Sequence, residues 1–267
     1  MNFSDTLLVS DIDGTLIGDD QRIPQANLDA IARYCASGGR FAIASGRTRG
    51  TAHLVLDQIT PTAPSIFING VEIYDLQADR PLYRKFLDPG LDDALRDYGR
   101  RFPEAAALIF TPDGVFVIGG NQWTAQHDVL TGIRSIPTTW ETMPAQKFKV
   151  LFMADEPVIA RMEAYCAAQA DPRVTSNRSW PTYFELLPCG GTKGDALREL
   201  SRRMGIPPER CIAIGDYDND AEMLRVAGIS AAPANASALA KSVARYHVCD
   251  CNQGAVADLL RRLEDLP

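Results

Sequence analysis

Two short acidic segments carry the clearest chemistry in the chain. Asp11-Ile12-Asp13-Gly14-Thr15 sets two carboxylates two residues apart, and alternation along a strand would put both on one side and Ile12 on the other. Carboxylates that close repel each other unless a cation or a shared proton lies between them. Gly14 permits a sharp turn, and Thr15 can orient the chain there. Gly215-Asp216-Tyr217-Asp218-Asn219-Asp220 crowds acids and amides into one loop, oxygen donors dense enough for a hard cation such as Mg²⁺. The spacing does not fit the twelve-residue calcium loop, which wants glycine at its sixth position and an acid at its twelfth. Both segments also have a plainer reading, in which the acids merely cap helices.

Two further segments suit an anion. Ser45-Gly46-Arg47 offers a hydroxyl and backbone N–H groups where a helix is expected to begin, either an anion cradle or a simple N-cap. Lys193 stands in Gly190-Gly191-Thr192-Lys193-Gly194, before a helix expected over 195–204. Glycines there would let ammonium and backbone approach a phosphate together, although a lone lysine can equally be a solvated surface charge.

The elements around these segments decide whether they can meet. Residues 7–10, 41–44 and 65–68 are apolar runs without alternation, as in strands buried on both faces. Helices are expected between them, over 24–37 with a Gly38-Gly39 stop and over 48–59. The rhythm returns late: strands at 211–214, 229–232 and 246–249, helices over 219–227, 236–244 and 255–263. Such alternation indicates an α/β domain with a parallel sheet, whose ligands gather at the carboxyl ends of the strands. The middle differs. Hairpins are expected at 73–75/82–86 and at 108–110/115–118, the latter across Pro112-Asp113-Gly114. A strand over 147–153, a helix over 157–169 and strands at 174–176 and 183–187 complete an antiparallel α+β insertion of about a hundred residues, typical of a domain.

Composition narrows the partners. Of 267 residues, 46% are hydrophobic and 23% charged, as in a folded globular chain. The net charge of −7, with no Lys/Arg block, argues against nucleic acid. No apolar run reaches membrane-spanning length, and the N-terminal residues lack a basic leader. Six scattered cysteines read as reduced thiols of a cytoplasmic protein, and the single C-x-C at Cys249–Cys251 is weak evidence for a metal.

Taken together, DIDGTL at 11–16, SGR at 45–47, NG at 69–70, TKGDAL at 192–197 and GDYDNDAEML at 215–224 resemble the haloacid dehalogenase superfamily. The closest branch is the Cof-like one with a type IIB cap. The resemblance implies a Rossmann-like three-layer core from residues 1–83 and 189–267, with a C2B cap inserted at 84–188. It also implies a Mg²⁺-dependent phosphatase acting on a small-molecule phosphate ester, sugar phosphates foremost. Asp11 would be the nucleophile that becomes an aspartyl phosphate, and Asp13 the general acid/base. To act as acid Asp13 must carry a proton, which the neighbouring carboxylate and partial burial would favour. Mg²⁺ would be held by the Asp11 carboxylate, the Asp13 backbone carbonyl and the Asp216 carboxylate. Ser45, Gly46 and Lys193 would bind phosphoryl oxygens, with Asn219 near the phosphate. Asp220, Arg47 and Asn69 would support them, although Asn-Gly is foremost a turn signal. Arg178, Trp180 and Tyr183 could reach a substrate from the cap or be ordinary cap residues. Tyr217 and Pro233 depart from the pattern common in relatives. The same core motifs would serve a phosphotransferase or mutase; a receiver domain or a non-catalytic binding module fits the motif order less well.

Overall fold

Short strands build the central sheet, Leu7–Ser10 and Cys211–Ile214 at its middle being buried throughout. Its order is Tyr246–His247, Ile229–Ala232, Cys211–Ile214, Leu7–Ser10, Arg40–Ile43, every neighbouring pair parallel. The computed structural model describes residues 3–264; the ends of the expected core, residues 1–2 and 265–267, lie outside the described residues. A parallel bridge from Ala44 to Ile66 extends the sheet toward Ser65–Phe67, which pairs with Glu72–Asp75 and through it with Arg80–Arg84.

Alternation along the strands feeds two layers of helix. Leu7, Val9, Ala42 and Ala213 share a cluster with Leu197 and Leu200 of Lys193–Met204 and with Met223 and Leu224 of Ala221–Val226. Leu8, Phe41 and Ile212 alternate to the other face and are wholly buried. There Gln25–Ala36 and Ala255–Glu264 pack against each other, joined by the buried Asn27, whose Oδ1 accepts Ala257 N–H at 3.0 Å.

Contacts divide the chain into two units, residues up to Tyr83 with Thr192 onward, and Arg84–Gly191. The second division falls three residues past the Pro188 boundary read from sequence. The turn after Pro188 is tied backward: Gly191 N–H donates to Pro188 O, and Cys189 N–H to Arg173 O.

The inserted unit is a six-stranded sheet of order Val174–Trp180, Tyr183–Pro188, Lys149–Met153, Ala106–Thr111, Gly114–Ile118, Ile136–Pro137. All pairs are antiparallel except the last. Helices Asp92–Arg101 and Glu156–Gln169 cover one face through Leu95, Tyr98, Ile159 and Met162, packed on Ile109, Val150, Phe152 and Phe184. A third helix, Gln122–Thr131, lies on the other side, where His127 meets Phe110 and Tyr183. That face also buries a Lys149–Glu185 ion pair at 3.2 Å. Arg178 is engaged inside this unit with Glu156 and Glu163, whereas Trp180 is exposed.

Several elements differ from expectation for local reasons. The helix expected over 48–59 is only His53–Leu56, because Thr48 accepts the Thr51 and Ala52 N–H groups and closes a separate turn first. Ile68 and Asn69 adopt left-handed backbone at φ 52° and 58°, which ends the third strand at Phe67. The Asp218–Asp220 turn is 3₁₀ and precedes the helix expected at 219. The last extended segment is only Tyr246–His247. The helix after Gly191 begins at Lys193 itself, with Thr192 Oγ1 accepting Asp195 N–H as N-cap. Among the described residues no helix is long and apolar enough to cross a membrane, and all six cysteines are free.

Candidate active site

Because Leu7–Ser10 and Cys211–Ile214 are parallel neighbours, the loops that follow them leave the same sheet edge. Asp11 N–H donates to Ile214 O at 2.9 Å, so the two acidic segments begin side by side. Asp11, Asp216 and Asp220 each bring a carboxylate oxygen within 4.8 Å of the others. Among the described residues this is the one group of three or more acids, histidines or cysteines close enough to hold an ion.

Lys193 enters the cluster from the helix that it opens. Its Nζ donates to Asp11 Oδ1 at 2.6 Å and to Asp220 Oδ1 at 2.7 Å, with the side chain 1% exposed. The other Asp220 oxygen accepts the Asp216 and Tyr217 N–H groups, both at 3.1 Å, and so shapes the loop bearing Asp216. Thr15 Oγ1 donates to Asp216 Oδ1 at 3.1 Å. Gly14 sits between them at φ 73°, and a Cβ there would lie 2.5 Å from Asp216 Oδ2. Only glycine fits that approach.

Burial pushes Asp11 well above the carboxylate range, and the charges of Asp220, Asp216 and Asp13 add to the push that Lys193 opposes. Burial and Asp220 likewise raise Asp216, to about 6. Burial works against the Lys193 charge, yet Asp11 and Asp220 outweigh it and hold the ammonium above the usual lysine range. Two buried acids and the half-buried Asp216 around one ammonium leave negative charge uncompensated. An all-oxygen donor set of this kind fits a hard divalent cation.

Asp13 is not part of this cluster. The chain leaves the sheet at Ser10 and turns, with Thr15, Leu16 and Ile17 N–H groups directed at Ile12 O. Strand alternation therefore does not place the Asp13 side chain beside Asp11. Nor is it buried as expected: it is 53% exposed and paired with Arg47. Arg47 Nε donates to Asp13 Oδ2 at 2.9 Å and Nη2 to Oδ1, forming a fork.

Ser45 is buried beyond the adjacent strand, Ala44 N–H donating to Ser10 O at 2.8 Å. Its Oγ accepts Arg47 N–H at 3.1 Å and caps a turn rather than a helix. Asn219 Nδ2 donates to Asn69 Oδ1 at 3.1 Å, and a Cβ on Gly46 would come 2.8 Å from that same oxygen. Tyr217 is exposed.

Sequence reasoning missed three polar anchors. Gln21 Oε1 accepts Arg47 Nη2 at 2.9 Å. Asn235 donates to Gly14 O at 2.8 Å and accepts Cys251 N–H at 3.0 Å. Asn27 Nδ2 donates to Leu16 O at 3.0 Å. The available signal was weak: Asn235 follows a core strand at the edge where the acids gather.

The haloacid dehalogenase-like hydrolase family matches residues 8–260. A Streptococcus pyogenes serotype M6 protein named as a phosphatase is 26% identical over 96% of this chain and 97% of its own. A Klebsiella pneumoniae HMP-PP phosphatase is 28% identical over 98% and 96%. The structure of a subclass IIB sugar phosphatase superposes with a TM-score of 0.85 at 20% identity, covering 98% of this chain and 100% of that one. The chain thus belongs to the haloacid dehalogenase-like hydrolase family of enzymes.

Proposed function

We propose that the enzyme hydrolyses small phosphorylated metabolites, sugar phosphates foremost, through a phosphoenzyme on Asp11. The observation that carries this reading is the convergence of Asp11, Asp216 and Asp220 around Lys193.

Asp11 attacks phosphorus as the bond to the leaving oxygen breaks, and Asp13 gives that oxygen its proton. Water then attacks the aspartyl phosphate, Asp13 takes the water proton, and inorganic phosphate leaves with Asp11 restored. Lys193 and Ser45, with the Gly46 backbone, hold phosphoryl oxygens, and Asn219, steadied by Asn69, borders them. Asp220 keeps Lys193 charged and aimed. The Asp11 and Asp216 carboxylates and the Asp13 backbone carbonyl would hold Mg²⁺, whose charge would offset that of the phosphate and the acids. Positioning and charge neutralisation of this kind dominate phosphoryl transfer. The inserted unit serves as a C2B cap that selects the substrate, and its antiparallel sheet with two helices on one face supports that role.

The test is a screen of phosphate esters with Mg²⁺, the Asp11→Asn variant serving as blank. Sugar monophosphates and organic diphosphates belong in it, since relatives include a sugar phosphatase and an HMP-PP phosphatase. Phosphate release by the native enzyme and none by the variant is expected. Equal release by both would remove Asp11 from the reaction.

A further inference from the structure

Arg47 is built as a strut. Its Nε and Nη2 take the two Asp13 oxygens, Nη2 also reaches Gln21 Oε1 at 2.9 Å, and Nη1 donates to Thr51 O at 3.2 Å. Its own backbone is fixed on both sides, the N–H by Ser45 Oγ at 3.1 Å and the carbonyl by Ile68 N–H at 3.0 Å. The Arg47 side chain is 19% exposed, whereas the carboxylate that it grips is 53% exposed. Gln21 takes a left-handed backbone at φ 62°, a conformation that non-glycine residues rarely adopt.

A half-exposed carboxylate without a partner would sample several rotamers, and acid/base transfer requires one direction. A guanidinium fork supplies that direction, because two parallel bonds fix the carboxylate plane as a single ammonium cannot. The geometry points to Arg47 as the positioning residue for the proton transfer assigned to Asp13, with Gln21 as its second anchor. The inference rests on the phosphatase reading above and adds to it a residue that acts only through Asp13. The balance is that of the first step: an Asp11 oxygen bonds to phosphorus as the bond to the departing oxygen breaks, and the Asp13 proton passes to that departing oxygen. Arg47 exchanges nothing.

The experiment compares kcat/KM for an alkyl sugar phosphate and for p-nitrophenyl phosphate, whose leaving group needs little protonation. The Mg²⁺-supplemented full chain is used as native enzyme, Arg47→Lys, Gln21→Ala, Asp13→Asn and the Asp13→Asn/Arg47→Lys double variant. Arg47→Lys should lower kcat/KM on the alkyl ester at least about tenfold, part of the roughly 10²–10⁴-fold that a positioned acid or base supplies. The aryl ester should change less than about threefold. Gln21→Ala, which leaves the fork in place, should show the same selective pattern more weakly, and the double variant should be no slower than Asp13→Asn alone. Equal losses on both esters would mean that Arg47 binds the phosphate or merely braces the fold. That result, or losses that multiply in the double variant, would overturn the inference. Should Arg47→Lys lower the melting temperature sharply, Gln21→Ala decides by the same ratio. Phosphate release that survives Asp11→Asn would instead reject the underlying reading.

Discussion

Lys193 Nζ lies 2.7 Å from Asp220 Oδ1, while the second oxygen of Asp220 holds the backbone of Asp216 and Tyr217. One buried carboxylate thus joins the ammonium of one helix to the loop that follows another strand. Asp220 thereby ties Lys193 to the backbone that carries Asp216.

Lys193→Met tests that link. The substitution leaves Asp11 and Asp220 buried without their shared cation, and breaking such a pair costs about 3–5 kcal/mol. Urea unfolding in chelator should report that loss, and activity should fall at least about a hundredfold. Unchanged stability would mean that the cluster is solvated rather than closed.

Gly14→Ala and Gly205→Ala form a matched pair. Both glycines have positive φ, +73° and +67°, but only Gly14 faces Asp216, with nothing within 4 Å of a Cβ on Gly205. Each substitution should cost about 1 kcal/mol or more through backbone strain. Only Gly14→Ala should also shift the Mg²⁺ activation curve to higher concentration, measured by titrating phosphate release. Parallel shifts in both variants would break the argument.

The pH dependence of cation binding follows from Asp216, raised to about 6 by burial and by Asp220. In chelator the folded protein keeps a proton that the unfolded chain has already lost, so this group's contribution to stability declines as pH rises from about 4 through 6. A divalent cation selects the ionised form. Thermal unfolding should therefore show a large Mg²⁺-induced gain at pH 7 that fades below pH 6. A gain equal at pH 5 and pH 7 would be incompatible with Asp216 as a ligand.

Asn27→Ala should destabilise the core without touching the acids. Asn27 is wholly buried and satisfies Leu16 O and Ala257 N–H. Leaving both groups unpaired should cost about 2–4 kcal/mol. Differential scanning calorimetry is the measure, and a change under about 0.5 kcal/mol would show that water replaces the amide.

The acidic motifs were legible because each is contiguous and directly follows an apolar strand. Leu7–Ser10, Cys211–Ile214 and Ile229–Ala232 coincide with the runs read from sequence, since strands buried on both faces leave continuous apolar stretches. Asp92–Arg101 escaped notice because its apolar stripe is thin, only Leu95 and Tyr98 being buried among charged residues. Gln122–Thr131 has a still weaker pattern, with Val129 and Leu130 exposed. The direction of Asp13 was illegible for another reason. Its partner is 34 residues away, and the turn after Ser10 removes the strand geometry on which alternation relies.

The return from the insertion has a practical meaning. Thr192 is the first residue of the resumed core and the N-cap of the helix that opens with Lys193, and a Cβ on Gly70 would lie 2.1 Å from Thr192 O. The splice point is therefore adjacent to the ammonium, with no spare linker between them. A graft of a foreign insert that ends at Gly191 leaves that lysine its cap, whereas one crossing Thr192 removes it. Recombination has a permissive seam here that is one residue wide.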